Sequence, residues 1–135
     1  QTQLGINVDE IEDGCVYKIS NVVNNALVWD IPTNNFSDGA IPILNYDDNS
    51  DSQKFVVHKE AKYNGKIYYT ITPLNCFDDL AFKTRNNKEN EKVKLGKDDN
   101  TNLEGFLSNK FAIEKQICGY TISTGASLFE KICCS

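Results

Sequence analysis

The sequence predicts an all-β chain assembled from repeated units, and three observations carry that prediction. The first is an internal period. The stretch Leu44-Asn45-Tyr46-Asp47-Asp48-Asn49-Ser50-Asp51-Ser52-Gln53-Lys54-Phe55 is answered 51 residues later by Leu95-Gly96-Lys97-Asp98-Asp99-Asn100-Thr101-Asn102-Leu103-Glu104-Gly105-Phe106. The same offset carries Tyr69 to Tyr120 and Ile71 to Ile122, and one residue more carries Tyr17 to Tyr69 and Ile19 to Ile71. The second is short apolar alternation, closed each time by Gly, Asn, Asp or Pro. The third is that no stretch keeps a helical apolar period over a useful length. A fixed period means that each unit hides its apolar face against its copies, so the period sets the architecture.

Taken in order, the predicted strands are 15–20, 26–31, 41–46, 53–59, 67–72, 80–84, 92–97, 111–115, 120–123 and 127–132. Turn chemistry fills the gaps at Asn24-Asn25, Ser37-Asp38-Gly39, Asp47 to Asp51, Asn64-Gly65, Asn86-Asn87 and Asp98 to Asn102. About four strands per period is the accounting of a closed or capped barrel with few exposed edges. Two full units span residues from about 14 to about 115. Continuing the offset backwards sets Leu4 on Phe55, so Thr2 to Ile6 is expected to close a third, shortened unit that Tyr120 to Ser135 opens. Three periods of 51 would exceed the 135 residues by 18, the length of most of one hairpin.

A chain of 135 residues is expected to form one domain, residues 1–135, with a real hydrophobic core. Asp plus Glu (19) outnumber Lys plus Arg (14), and a net charge of −5 opposes nucleic acid and anionic membranes as partners. No apolar run is long enough to read as a spanning helix, so membrane insertion is not expected. Methionine is absent, and Gln1 therefore reads as the start left by removal of an export leader. The five cysteines, Cys15, Cys76, Cys118, Cys133 and Cys134, favour an oxidising compartment with two intramolecular bridges and one spare thiol. The expected location is secreted or cell-surface, and the spare thiol offers a route to self-association. Asn35-Phe36-Ser37 is the one glycosylation sequon.

Residues 14–55 read Gly14-Cys15-Val16-Tyr17-Lys18-Ile19-Ser20-Asn21, then Ala26-Leu27-Val28-Trp29-Asp30-Ile31, then Gly39-Ala40-Ile41-Pro42-Ile43-Leu44, then Gln53-Lys54-Phe55. This resembles one lobe of the ricin B-type β-trefoil lectins: a Tyr-x-Ile strand after a Gly, a Leu-x-x-Asp strand, a Gly-led apolar strand and a closing Gln-x-aromatic triplet. The second lobe matches in part, through Tyr69-Thr70-Ile71, Leu80-Ala81-Phe82 and Glu104-Gly105-Phe106, and the third in fragments. The resemblance implies a β-trefoil whose lobes each place one aromatic, Phe55 and Phe106, at the shared centre. It also implies a non-catalytic carbohydrate-binding module acting on glycans or glycoproteins, with no cofactor.

In that family a binding lobe uses an Asp from its second strand, an aromatic platform from its third and an Asn beside the closing Gln. Carried onto lobe one, these positions fall on Asp30, on Leu44 with Tyr46 two residues on, and on Ser52 before Gln53. A carboxylate accepts bonds from vicinal hydroxyls, and an aromatic face covers the apolar face of a pyranose. Lobe two carries no acid at the position of Asp30 and is expected to be silent. Trp29, the single tryptophan, is expected in the core or as a stacking face.

Other features carry rival readings. From Lys83 to Lys97 six bases, among them Lys83, Arg85, Lys92 and Lys94, face only Glu89 and Glu91, which suits a sulfated or acidic polymer. Asp47-x-Asn49-x-Asp51 has the opening spacing of a calcium loop, yet Ser52 replaces the required Gly and His58 the closing Glu, so a turn and no metal is expected. Catalysis finds little footing, because His58 is the only histidine and no nucleophile motif accompanies it. Two rival functions remain: a trefoil protease inhibitor presenting Ile31 to Asp38 or Asn86 to Glu91, and a coat or tube component cross-linked through Cys133 and Cys134.

Overall fold

The computed structural model describes residues 11–20, 24, 26–32, 36–63, 65–76, 80–83, 93–97, 110–116, 119–123 and 128–132. It is all-β, with no α-helix among the described residues. Each of the ten predicted strands is present: β1 Cys15–Tyr17, β2 Leu27–Asp30, β3 Ile43–Tyr46, β4 Phe55–Tyr63, β5 Lys66–Pro73, β6 Leu80–Lys83, β7 Lys94–Lys97, β8 Phe111–Gln116, β9 Gly119–Ser123 and β10 Leu128–Ile132.

The pairing repeats with the sequence. One antiparallel sheet of six strands runs β1-β4-β5-β8-β9-β10, while β2-β3 and β6-β7 form separate hairpins. The first and fourth strands of each unit thus pair in the large sheet, and the second and third leave it as a hairpin. After β9 the pattern stops: β10 returns directly against β9, pairing Ile132 with Tyr120 and Leu128 with Ser123. No third hairpin occurs among the described residues. The proposed N-terminal closing strand, Thr2 to Ile6, lies outside them.

Register shows where the units correspond. Tyr17 pairs with Phe55 across β1 and β4, and Tyr69 pairs with Phe111 across β5 and β8. Val57 faces Ile71 as Ile113 faces Ile122, and Lys59 faces Tyr69 as Lys115 faces Tyr120. The structural counterpart of Phe55 is therefore Phe111, and the expected match to Phe106, which lies outside the described residues, is corrected. The reason is a connection from third to fourth strand that is five residues longer in the second unit. The closing triplet of that unit becomes Asn109-Lys110-Phe111, which answers Gln53-Lys54-Phe55.

Two turns repeat at the period of 51. Gly14 and Gly65 hold φ of 78° and 77°, a left-handed conformation that a side chain resists, and each opens the first strand of its unit. The core lies between the large sheet and the hairpins. Phe55, Ile71, Phe82, Leu95, Phe111 and Ile122 are all at most 1 % exposed. Trp29 is buried as well, as one of the two expected outcomes, edge-on to Phe82 at 5.4 Å and to Phe55 at 6.4 Å. These three rings join hairpin one, the closing strand of unit one and hairpin two in a single cluster.

Candidate functional site

Hairpin one is anchored on its inner side. The Trp29 amide donates to the Ile19 carbonyl at 2.9 Å, and the Ile31 amide donates to the Ser52 carbonyl at 3.1 Å. Strand β2 is consequently covered on both faces, with Val28, Trp29 and Asp30 all buried, while every residue of β3 is exposed. Asp30 is thus a buried carboxylate, only 5 % exposed.

Its surroundings are polar and specific. Asp30 Oδ2 accepts from Asn45 Nδ2 at 3.1 Å and from Gln53 Nε2 at 3.3 Å. The Gln53 side chain is itself fully buried: Nε2 also donates to the Tyr46 carbonyl at 2.8 Å, and Oε1 accepts from the Asp48 amide at 3.0 Å. One glutamine thereby ties β2, the end of β3 and the turn that follows. Asp30 Oδ1 is buried with no hydrogen-bond partner. A polar oxygen without a partner at that depth is costly, and a donor that reached it would offset the cost.

The expected site residues are only partly brought together. Asp30, Gln53 and the backbone of Tyr46 meet directly, and Ser52 is buried beside them with its hydroxyl 3.0 Å from that of Ser50. Cross-strand register pairs Trp29 with Leu44 and Asp30 with Ile43. Directly opposed side chains share a face, so Leu44 and Tyr46 stand on the Trp29 side of the hairpin, away from Asp30. The exposed apolar residue on the Asp30 face is Ile43, 45 % exposed, and its polar neighbour is Asn45. Sequence reasoning missed both. The available signal for Asn45 was an asparagine inside a strand, where its type is disfavoured without a specific hydrogen bond.

The second hairpin inverts this chemistry. Its register sets Lys83 opposite Lys94 and Ala81 opposite Gly96, the positions of Asp30, Ile43, Val28 and Asn45 in the first. A Cβ on Gly96 would collide with the methylenes of Lys83, so glycine there leaves room for the lysine stem as Asn45 secures the aspartate. Lys97 adds an exposed base to the half-buried Lys83 and Lys94; Arg85 and Lys92 lie outside the described residues, as do residues 33–35 and 86–91 of the two loops considered for protease inhibition.

The acidic turn after β3 is held by its own contacts. Asp47 Oδ1 accepts from the Asn49 amide at 2.9 Å while its carboxylate pairs with Lys18 at 3.1 Å. Asp48 Oδ1 accepts from the Ser50 amide at 2.9 Å, and Asp51 pairs with Lys54 at 3.3 Å and Asn75 at 2.9 Å. Asn49 adopts φ of 60°, which asparagine tolerates better than most residues. Hydrogen bonds from Ser50 lower the Asp48 pKa, and Asn75 with Lys54 lowers that of Asp51. Both carboxylates therefore stabilise the fold above their unfolded-state pKa, and this contribution is lost as the pH falls through the lowered folded-state value. An NMR titration followed at the Ser50 amide is expected to turn below the ordinary aspartate range; a transition within or above that range contradicts the turn geometry.

Cys15 and Cys76 are free thiols. Two bridges would need four of the five cysteines, so that expectation is corrected; Cys118, Cys133 and Cys134 lie outside the described residues. Cys15 donates to Glu12 Oε2 at 3.5 Å, and desolvation followed by the Glu12 carboxylate pushes its pKa up, away from the thiolate that bridge formation needs. Compared with models of known protein families the chain matches none, and no curated protein matches it in sequence.

Proposed function

We propose that the chain is a β-trefoil carbohydrate-binding module of the ricin B-like type, acting outside the cell, with one sugar site on hairpin one. The repeated pairing of first with fourth strand and the separate hairpins support the trefoil. Asp30 carries the functional reading: a buried carboxylate with one oxygen held by Asn45 and Gln53 and the other without a partner. In this reading Oδ1 takes a sugar hydroxyl, Asn45 and Gln53 fix the carboxylate's orientation, and Ile43 covers the apolar ring face.

A glycan array on the purified protein should identify a neutral ligand, and affinity for it should fall about tenfold to a hundredfold in Asp30→Ala, since a hydrogen bond to a charged group is worth about 1.5–3 kcal/mol. Lys83→Ala should leave that affinity unchanged. The opposed Lys83 and Lys94 favour a second reading, a sulfated polymer on hairpin two. That reading predicts the reverse pattern, with loss in Lys83→Ala, none in Asp30→Ala, and a steep dependence on salt. Binding of neither ligand type sinks both.

A further inference from the structure

The two hairpins differ at their outer edge. In hairpin two the Leu95 amide donates to the Ala40 carbonyl at 2.8 Å and the Leu95 carbonyl accepts from the Gly39 amide at 2.8 Å, so a segment of unit one covers the free edge of β7. Leu95 is fully buried there. Its counterpart 51 residues earlier is Leu44. Trp29 sends its amide to Ile19, so Trp29 and Leu44 do not exchange backbone bonds, and the Leu44 amide and carbonyl point away from β2. No described residue meets them. By the repeat, a third unit would supply that cover, and no third hairpin occurs among the described residues.

Exposed apolar residues gather at the same place. Leu44 and Tyr46, which share one face of β3, are 45 % and 69 % exposed. The open edge is also short. Pro42 has no amide to donate, the Tyr46 amide is taken by Asn45 Oδ1 at 2.9 Å, and the Tyr46 carbonyl is taken by Gln53. Leu44 is the one residue of this edge left with both a donor and an acceptor on the same side.

We infer that this edge is the contact between two copies of the chain, paired antiparallel about a two-fold axis at Leu44. In that arrangement Leu44 of each copy donates its amide to the carbonyl of the other, using the donor and the acceptor that Leu95 satisfies within the chain with the Ala40 carbonyl and the Gly39 amide. Leu44 and Tyr46 of both copies then cover one another, and the blocked neighbours on either side stop the pairing from spreading into a fibre. Pairing of Asp47 and Asp51 with Lys18 and Lys54 reduces the negative charge beside the patch. The contact does not rest on the sugar reading, whose residues lie on the opposite face of the hairpin or beneath it.

Sedimentation equilibrium in reductant, without sugar, tests it over a protein concentration series. The wild-type chain should reach a limiting mass twice that of a single chain, and Leu44→Lys, an exposed substitution that leaves the core intact, should remain monomeric. Hydrogen exchange on the wild type should show the Leu44 amide protected at high concentration and open at low. A wild-type monomer throughout, a dimer that survives Leu44→Lys, or a Leu44 amide protected in the monomer by the chain's own residues each overturns the inference.

Discussion

Phe55→Ala should remove about 3–5 kcal/mol of folding stability, the usual range for truncating a buried phenylalanine. Phe55 is fully buried, and its ring sits 5.3 Å from Phe82 and 6.4 Å from Trp29. Those neighbours come from two different hairpins, so neither can move into the space without leaving its own strand pairing. The cavity therefore stays open, and the loss falls at the upper end of the range. Net stabilities of about 5–15 kcal/mol make this enough to leave the variant marginal. Phe111→Ala should cost a similar amount, because register gives Phe111 the same place against Tyr69 that Phe55 has against Tyr17. Urea denaturation of both variants checks the pair, and a loss below about 1 kcal/mol at either position would contradict the equivalence.

Gln53→Ala should cost about 2–3 kcal/mol although it removes no apolar packing of consequence. Three groups lose a partner: Asp30 Oδ2, the Tyr46 carbonyl and the Asp48 amide. The last two belong to exposed residues that water can reach, so most of the loss comes from the buried carboxylate. Gln53→Glu separates this account from a simple loss of bulk. It keeps the shape and replaces the donor facing Asp30 with a second carboxylate, so at neutral pH it should destabilise at least as much as alanine. Thermal unfolding at neutral and acid pH would show Gln53→Glu recovering as its new carboxyl takes a proton. Indifference of the glutamate variant to pH would remove Gln53 from this role.

The strands and their order were legible because apolar alternation and turn residues are local signals, and Leu44 with Leu95 or Ile71 with Ile122 keeps one constant offset. The closing strand of unit two was misjudged for a physical reason. Loop length is weakly constrained, so a fixed offset fails across an inserted connection, whereas the strand register that selects Phe111 cannot slip without turning its side chains over. The repeated Ser-x-Lys-Phe at Ser52 to Phe55 and Ser108 to Phe111 held that information in the sequence. Asp30 was recognisable as a candidate, but its burial was not. That burial follows from Ile19 and Ser52 closing over β2, contacts made across long separations in the chain. Leu44 and Tyr46 were placed beside Asp30 by the family resemblance, and the register of β2 against β3 moves them to the other face.

The sugar site on hairpin one can be read residue by residue in a titration of the isotope-labelled protein with the ligand selected on the array. Shifts should concentrate on the side-chain amides of Asn45 and Gln53 and on the Ile43 methyls, and should vanish in Asp30→Ala. Shifts centred instead on Lys83, Lys94 and Lys97, or unchanged in Asp30→Ala, would contradict it.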